Sequence, residues 1–398
     1  MKILFIVLDG LGDEPIKQLK NKTPLEAAST PNLDYLTQLG SCGLMIPVAT
    51  TALPTSEEGH FSLFGYNPRK YHIRRGIFTA QGSGIKLRKG DVALRANFST
   101  VDKNRNIVDR RAGRITETKS LIDSLRGIKI NGVKLLIRPA GQHRLAIVLR
   151  GKGLSAHISD GDPHYSYLGK KVRNVAPLDK SSKSVRTAKL LNEFLEKAHP
   201  ILENHPQNRK RRKNKLPAAN YILTRGASTP KRIPSFKKRY NLKACCVAGK
   251  LLYQQIAKVL GMKLIYVKGA NGLVSTNLKG KFLAAQRALK RHDFVFLHIK
   301  ATDSLAEDGN FLGKKKFIEK IDQNIKPLLN LKNTLIIVTA DHSTCCGLKR
   351  HCAAPIPILV YGKNQDSVER FSERDCQKGK LGKFRQVDLM AKIIKMIK

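Results

Sequence analysis

Four apolar runs in the chain have the length and composition of buried strands. They are rich in Ile, Val, Leu and Phe with little polar alternation, which is typical of strands covered on both faces of a parallel sheet. Segments with apolar residues at helical spacing lie between them. The pattern predicts an α/β fold with a mostly parallel sheet and right-handed crossovers. The four runs are residues 3–9, 293–303, 333–341 and 355–362, and helices are predicted at residues 184–202, 282–291 and 314–331.

The middle of the chain has a different pattern. Short strand-like runs separated by turns extend over residues 90–164, which predicts an α+β unit inserted into the first domain. The basic segment 204–216 follows, and its block of like charges is typical of an exposed loop or linker. We therefore predict a discontinuous core at residues 1–82 and 216–398, interrupted by an inserted domain at residues 83–215 that ends in the basic linker.

The net charge changes which partners are expected. The chain of 398 residues carries 74 Lys and Arg against 30 Asp and Glu, a formal +44. Such a field attracts polyanions without a specific site, and it steers small anions equally well. Because the sequence has no helix-turn-helix, RNP or zinc-finger pattern, we expect nucleic acid to bind only non-specifically. The alternative explanation of the charge is a general bias of composition that makes the whole surface basic without a specific partner.

The apolar runs and the cysteines indicate the compartment. No run approaches the length of about 18 apolar residues that a transmembrane helix needs. The apolar N-terminus ends in Asp-Gly and not in a small-residue cleavage site, so we interpret it as a strand and expect a cytoplasmic protein without a membrane partner. The seven cysteines form no CxxC pair, and we expect reduced thiols.

Three of the four apolar runs end in an aspartate. Asp9, Asp303 and Asp341 occupy these ends. Ligands of open α/β sheets bind beyond the carboxyl ends of the strands, so three carboxylates there predict a binding site. A single aspartate after a strand is more often a turn residue or a helix cap.

Histidines and a further carboxylate accompany these aspartates. His342 adjoins Asp341, and side chains of neighbouring residues after a strand point apart, so the pair can face two different cations. His351 follows nine residues later, and Glu307 lies one helical turn after Asp303 on the same face. Carboxylate oxygens combined with imidazole suit manganese or zinc better than calcium.

Ser56 is the candidate nucleophile. It precedes a helix that is predicted to start near Glu57. A serine at this position usually caps the helix. The functional alternative is a hydroxyl activated by a metal ion, with the helix N-terminus favouring the anionic phosphoryl group that it attacks.

The chain resembles the alkaline phosphatase superfamily, and in particular the cofactor-independent phosphoglycerate mutases of the archaeal type. The resemblance covers nearly the whole length. LRANFSTVD followed closely by DRRAGRI is its most distinctive part. The motifs that carry it are VLDGLGD, TSEEGH, LFGYNP, RRGIFTAQGSGI, DVALRANFSTVD, IVDRRAGRI, ISDGDPH, FLHIKATD and TADHST.

The resemblance implies an alkaline-phosphatase-like core and two divalent metal ions, manganese first, with magnesium, cobalt or zinc as alternatives, and no bisphosphoglycerate. Residue 307 is a departure, because the family has a histidine there. A glutamate is a harder ligand, so Glu307 predicts a changed metal preference, a weakened second site or the use of Asp308 in its place. By position, one ion would be held by Asp9, Ser56, Asp341 and His342, and the other by Asp303, residue 307 and His351.

The inserted domain would then bind the substrate. A small phosphorylated hydroxy-acid carries a phosphate and a carboxylate, which guanidinium groups hold well. In so basic a chain each arginine can instead be a solvated surface residue, and ISDGDPH can be an Asx-rich turn. The predicted substrate-binding residues are Arg110, Arg111, Arg114, Arg144, His164 and Lys243, and those predicted to move protons are Asp109, Asp160 and Asp162.

The implied activity is the interconversion of 3-phosphoglycerate and 2-phosphoglycerate in glycolysis and gluconeogenesis through a phosphoserine at Ser56. Domain closure is expected to exclude water, since water would turn a mutase into a phosphatase. The alternatives are a related phosphotransferase or phosphatase, such as a homoserine kinase-like enzyme, and a degenerate relative that binds nucleic acid. The oligomeric state is left open.

Overall fold

The computed structural model describes residues 1–48, 53–71, 73–163 and 168–397. The chain forms two compact units. Unit 1 consists of Met1–Ile73 and Ile233–Lys398, and unit 2 consists of Arg74–Arg232. None of the helices in these described ranges has the length and apolar character that crossing a bilayer requires.

Unit 1 is built on an eight-stranded sheet. Its central strand β1 is buried along almost its whole length and runs parallel to β10 on one side and β11 on the other. The predicted α/β fold with a mostly parallel sheet is confirmed in this unit. Across the sheet, and numbered along the chain, the strands are β15 (Gly382–Arg385), β2 (Gly40–Ile46), β14 (Ile356–Tyr361), β11 (Thr334–Thr339), β1 (Lys2–Leu8), β10 (Phe294–Ile299), β8 (Ala244–Val247) and β9 (Lys263–Leu264).

Helices of unit 1 pack against this sheet, with α11 on β1, β8 and β10 and α2 on β2 and β14. A separate two-stranded hairpin, β12 (Ser343–Cys345) with β13 (Arg350–Cys352), follows β11. The helices are α1 (Pro24–Ala27), α2 (Pro31–Gln38), α3 (Ser56–Leu63), α4 (Pro68–Tyr71), α9 (Phe236–Tyr240), α10 (Leu251–Val259), α11 (Leu278–Leu289), α12 (Ala301–Glu307), α13 (Phe311–Ile325), α14 (Glu373–Cys376) and α15 (Leu389–Ile397).

The direction of β14 corrects one expectation. The fourth apolar run was expected to be parallel, but β14 runs antiparallel to both β11 and β2. The chain reverses through the β12–β13 hairpin after β11, so the next strand returns alongside it. An apolar run that is buried on both faces looks the same in either direction, and the sequence pattern therefore could not distinguish the two.

Unit 2 is an antiparallel sheet covered by helices. β3 (Val92–Val101) is central and pairs with β6 (Arg144–Arg150), β7 (Tyr221–Ser228) and the short β4 (Ile107–Asp109), and β5 (Lys134–Pro139) pairs with the other side of β6. Leu191 and Phe194 of the long helix α7 are buried in the core of this sheet. The remaining helices are α5 (Arg75–Gly82), α6 (Lys119–Leu125), α7 (Ser182–Glu203) and α8 (Pro206–Lys213).

The boundaries of unit 2 lie outside the predicted 83–215. Helix α5 belongs to unit 2 because Gly76 lies so close to β3 that a Cβ there would meet the Ala93 carbonyl oxygen at 2.0 Å. Strand β7 belongs to it because it pairs along β3, although we expected this segment to re-enter the core.

The basic segment is a helix and not a linker. Pro206 begins α8, and the side chain of Asn208 is buried and bonds the carbonyl oxygens of Leu202 and Ala219. Asn208 could not be recognised as an anchor from the sequence because it lies next to a block of like charges. Basic residues in the last turn also complement the helix dipole.

The cysteines depart from the expected reduced state. Cys345 and Cys352 form a disulfide across the β12–β13 hairpin, while five buried cysteines remain unbridged.

Candidate metal centre and arginine cluster

Three aspartates meet at the carboxyl edge of the central strands of unit 1. Asp9 follows β1, Asp341 follows β11, and Asp303 lies in the first turn of α12 after β10; all three are fully buried. Gly10 has a φ of +63°, and a Cβ at this residue would meet the Asp303 side chain at 2.8 Å. Its amide donates to Asp341 Oδ1 at 3.2 Å, so the turn after β1 needs a glycine to bring the carboxylates together.

His342 lies between these carboxylates. Its Nε2 is 3.2 Å from Asp341 Oδ2 and 3.6 Å from Asp9 Oδ1. The expectation that Asp341 and His342 point apart is therefore wrong. Both residues come after the end of β11, where the chain bends, so strand alternation no longer applies to them. Thr344 Oγ1 lies 3.1 Å from His342 Nδ1 and donates to Asp303 Oδ1, which leaves His342 Nε2 as the ligand atom.

Ser56 is the first residue of α3, and its hydroxyl faces the same place. Its Oγ lies 3.3 Å from His342 Nε2. The helix cap is Thr55, whose side chain accepts from the Glu58 amide while the Glu58 side chain accepts from the Thr55 amide. The Ser56 hydroxyl is therefore not used as the cap, which was the main alternative for it.

His351 enters from the hairpin. Its Nδ1 donates to the carbonyl oxygen of Pro54 at 2.7 Å, which directs Nε2 toward Asp303 Oδ1 at 3.5 Å. The ring stacks on that of His342 with centroids 3.7 Å apart. Burial lowers the pKa of His351, but its contact with Asp303 outweighs that effect and raises the pKa to about 9.

These residues form two of the three groups with metal-ligand spacing in the described part of the chain, and His342 belongs to both; the third group joins Asp9 to His60 and His298. Asp341 Oδ2 is fully enclosed and makes no well-directed hydrogen bond within the described part of the chain, although nitrogens of His60 and His342 lie 3.1 and 3.2 Å away. Such an oxygen is costly to bury unless a cation is close. Buried carboxylate oxygens and imidazole nitrogens fit divalent metal ions. The two groups that share His342 are Asp9, Asp341 and His342, and Asp303, His342 and His351.

Lys300 supplies positive charge inside the cluster, and it was not singled out from the sequence. Its buried Nζ is 2.9 Å from Asp9 Oδ1 and also contacts Asp303 Oδ2. Although burial opposes the charged forms, this pairing holds the pKa of Asp9 and of Asp303 well below the usual range and that of Lys300 well above it. The signal in the sequence that could have identified Lys300 is its position within the motif FLHIKATD.

A second layer of aromatic residues, also missed, orients the ligands. His298 Nε2 donates to Asp9 Oδ2 at 2.8 Å, and Tyr253 stacks on His298 with a centroid distance of 3.5 Å. Burial lowers the pKa of His298 to about 3, so this imidazole is neutral. His60 donates through Nδ1 to the Ser56 carbonyl oxygen at 2.7 Å and lies 3.1 Å from Asp341 Oδ2. Such outer partners fix the orientation of ligating side chains.

Two predicted residues lie elsewhere in unit 1. Glu307 is the last residue of α12 and is exposed, and neither donor group includes it. Lys243 is exposed and directly precedes β8, which runs parallel to β10. It therefore lies at the amino end of the strands, across the sheet from the donor groups, and the predicted phosphate contact is wrong.

Unit 2 gathers several guanidinium groups around Arg144, at the start of β6. Burial, together with the nearby positive charges of four other arginines, lowers the pKa of Arg144 to about 10. Burial and neighbouring arginines likewise lower the pKa of His143 to about 3. So many like charges close together favour an anionic ligand. The four are Arg75, Arg111, Arg114 and Arg225, of which Arg75 and Arg225 were missed because they come from α5 and β7, outside the predicted insert.

The other predicted residues of unit 2 make structural contacts. Arg110 and Asp162 are both buried and form a bidentate ion pair with two contacts of 2.8 Å. The carboxylate of Asp109 accepts from two backbone amides of the following turn, and Asp160 accepts from the Gly226 amide at 2.8 Å. His164 lies outside the described residues.

Comparison with known proteins shows which family the chain is similar to. A sequence profile described as the Metalloenzyme superfamily matches residues 1–396. Relatives named 2,3-bisphosphoglycerate-independent phosphoglycerate mutase 1 are 45% identical in Archaeoglobus fulgidus, over 98% of this chain and 96% of the relative, and 42% identical in Methanocaldococcus jannaschii, over 96% and 93%. The solved cofactor-independent phosphoglycerate mutase from Thermoplasma acidophilum is 35% identical with a TM-score of 0.70, and 100% of both chains is covered.

The fold and the buried donor groups define a metal-dependent enzyme of the Metalloenzyme superfamily. Within it, the chain belongs to the family of 2,3-bisphosphoglycerate-independent phosphoglycerate mutases. The resemblance that the sequence motifs carried is thereby confirmed.

Proposed function

We propose that the chain interconverts 3-phosphoglycerate and 2-phosphoglycerate without bisphosphoglycerate, with Ser56 as the nucleophile that carries the phosphoryl group between the two oxygens. One observation carries the proposal. The Ser56 hydroxyl is buried, released from capping and 3.3 Å from Nε2 of His342, the residue that the two donor groups share. A hydroxyl in that setting is suited to attack on a phosphoryl group.

Two divalent ions, with manganese as the first candidate, complete the proposal. When bound, they would lower the pKa of the Ser56 hydroxyl and neutralise the charge on the phosphoryl oxygens. Asp9, Asp341 and His342 would hold one ion beside Ser56. The other would be held by Asp303 and His351 with His342 between the two, and not by the exposed Glu307.

The chain's own residues supply the remaining functions. Ser56 lies in the first turn of α3, where the helix dipole favours the anionic phosphoryl group. Lys300 balances the carboxylates, and its contacts hold Asp9 and Asp303 in place. Helix α3 is in turn fixed at its start by the reciprocal bonds of Thr55 and Glu58.

The arginines of unit 2 are proposed to hold the carboxylate and phosphate of the substrate. Arg111, Arg114 and Arg144 keep the role expected from the sequence, and Arg75 and Arg225 join them. Arg110 is proposed to position the cluster, because its guanidinium is committed to Asp162. The same commitment makes Asp162 a poor proton carrier.

An isomerase assay tests the proposal directly. The metal-free chain is supplied with manganese, cobalt, zinc or magnesium in turn, and 3-phosphoglycerate is followed by ³¹P NMR without bisphosphoglycerate or nucleotide. We expect 2-phosphoglycerate to form and chelator to abolish the reaction. Release of inorganic phosphate as the main product would replace the mutase proposal with a phosphatase.

A further inference from the structure

The β12–β13 hairpin carries His351 of the second donor group and begins directly after His342. Antiparallel pairing places Thr344 opposite His351, and Ser343 opposite Cys352. Side chains alternate along each strand, so Thr344 and His351 share one face and the two bridged cysteines share the other. On the first face both residues meet Asp303, through Thr344 Oγ1 at 2.7 Å and His351 Nε2 at 3.5 Å. On the opposite face Cys345 is bonded to Cys352.

The two strands of the hairpin are held unequally. The Thr344 amide of β12 donates to the Gly12 carbonyl oxygen, and its own carbonyl oxygen accepts from the buried amino group of Lys314 at 3.0 Å. The amide of Cys346, next to β12, donates to Asp13 Oδ1. β13 instead follows an exposed turn, Arg350 at its start is exposed, and His351 is tied to the rest of unit 1 through its side chain, at the Pro54 carbonyl oxygen and the His342 ring. A ribbon of two three-residue strands is too short to hold its own register firmly.

The disulfide joins β12 to β13, one residue after Thr344 and one residue after His351. Glu307 is exposed, so the helix that supplies Asp303 offers no second ligand. The position of His351 is therefore more important for the second donor group. The second donor group thus depends on where the hairpin holds His351.

We propose that Cys345 and Cys352 are positioning residues, and that their disulfide fixes His351 against Asp303 to complete the second metal site. The inference rests on the proposed function and its two ions. When the bond forms, the two thiols lose two protons and two electrons to an exchanging disulfide, which becomes a dithiol. Both sulfurs lie on the face of the hairpin opposite His351, so the effect acts through the position of His351.

The test uses the full chain and its Cys345→Ser, Cys352→Ser and double variants. Manganese is titrated into each metal-free protein by calorimetry, and the coupling of paired ions is read by electron paramagnetic resonance. We expect the first ion to bind as in the wild type and the second to bind about 10- to 100-fold more weakly, as when other supports of a ligand are removed. Because either substitution breaks the same bond, the double variant is expected to match the single ones.

Controls separate this role from simple packing. Cys346→Ser removes a buried, unbridged thiol beside the same hairpin and is expected to leave both affinities unchanged. Thermal unfolding checks the fold of each variant. If a serine variant does not fold, the reduced wild type is titrated instead. A phosphine reduces it, and the phosphine is converted to the phosphine oxide as two thiols form.

Three outcomes would overturn the inference. Seven titratable thiols in the denatured, unreduced chain would show that the bond is absent, whereas we expect five. Unchanged affinity for the second ion in every bridge variant would show that the bond does not position His351. Fewer than two ions bound by the wild type would instead refute the two-metal proposal on which the inference rests.

Discussion

The setting of Ser56 depends on residues that are far apart in the chain. Its hydroxyl faces His342, its carbonyl oxygen accepts from His60, and the preceding Thr55 caps the helix. The sequence identified the donors that follow strands, since strand ends are visible as breaks in apolar runs. It missed Lys300 and the histidines within elements, because a polar residue inside an apolar run reveals its partner only once the strands are paired.

Replacing the hydroxyl of Ser56 separates chemistry from metal binding. We expect Ser56→Ala to lower isomerisation by several orders of magnitude, since alanine has no hydroxyl to accept the phosphoryl group. Metal content is expected to stay close to that of the wild type, because carboxylates and imidazoles provide the main ligands. Product formation by ³¹P NMR and metal analysis of the same sample check both parts, and near-normal activity would refute the phosphoserine route.

Two carboxylates on α12 form a matched pair for testing the second site. Asp303→Asn removes a buried anion that meets Thr344, Lys300 and His351, so we expect loss of one bound ion. Glu307→Ala, one turn later on an exposed position, is expected to leave the metal stoichiometry unchanged. Elemental analysis after dialysis measures both. Loss of an ion in Glu307→Ala would show that Glu307 is a ligand, in agreement with its position in the family motif.

At the scale of elements, the sequence pattern located most strands and helices but not their neighbours. The strand at β1 and the helix at α7 were predicted within two residues of their observed ends, since long periodic or apolar runs define an element by themselves. The direction of β14, the helical state of α8 and the membership of α5 and β7 depend on tertiary contacts. Asn208 and Gly76, for example, act through partners that no local pattern contains.

The cap of α3 connects the stability of an element with function. Thr55→Ala removes the side-chain acceptor for the Glu58 amide, so we expect a loss of about 1 kcal/mol in the free energy of unfolding. Because Ser56 is the next residue, kcat is expected to fall while metal content is kept. Thermal unfolding and steady-state kinetics measure the two effects, with Thr55→Ser as the conservative control. Unchanged kcat in a destabilised Thr55→Ala variant would show that the cap serves stability alone.

For the molecule as a whole, charge is distributed unevenly. Unit 2 carries 36 Lys and Arg against 11 Asp and Glu. Some of these arginines surround Arg144, and the others cover surfaces such as α8. The sequence established the magnitude of the charge, but the arginine cluster could be recognised only after β3, β6 and β7 were seen to pair.

Ionic strength tests whether this field assists catalysis. Raising the salt concentration from roughly 0.01 M to 1 M shortens the Debye length from about 30 Å to about 3 Å, so long-range attraction of an anionic substrate is lost. We expect kcat/KM to fall progressively while kcat stays nearly constant, because bound groups are screened less. Steady-state kinetics at matched osmotic strength in sucrose serve as the control. A kcat/KM that does not depend on salt would mean that the charge has no part in substrate capture.

The central position of β1 has a consequence for how the chain is made. β1 pairs with β10 and β11, so Ile3 can pair with Phe294 and Leu335 only after the ribosome has synthesised those residues. Closing such a long loop is slow compared with local pairing. Unit 2 is continuous in sequence and can fold during this delay. The apolar segment at residues 3–8 is therefore exposed throughout most of synthesis, which is the period in which a nascent chain of this topology most needs a chaperone.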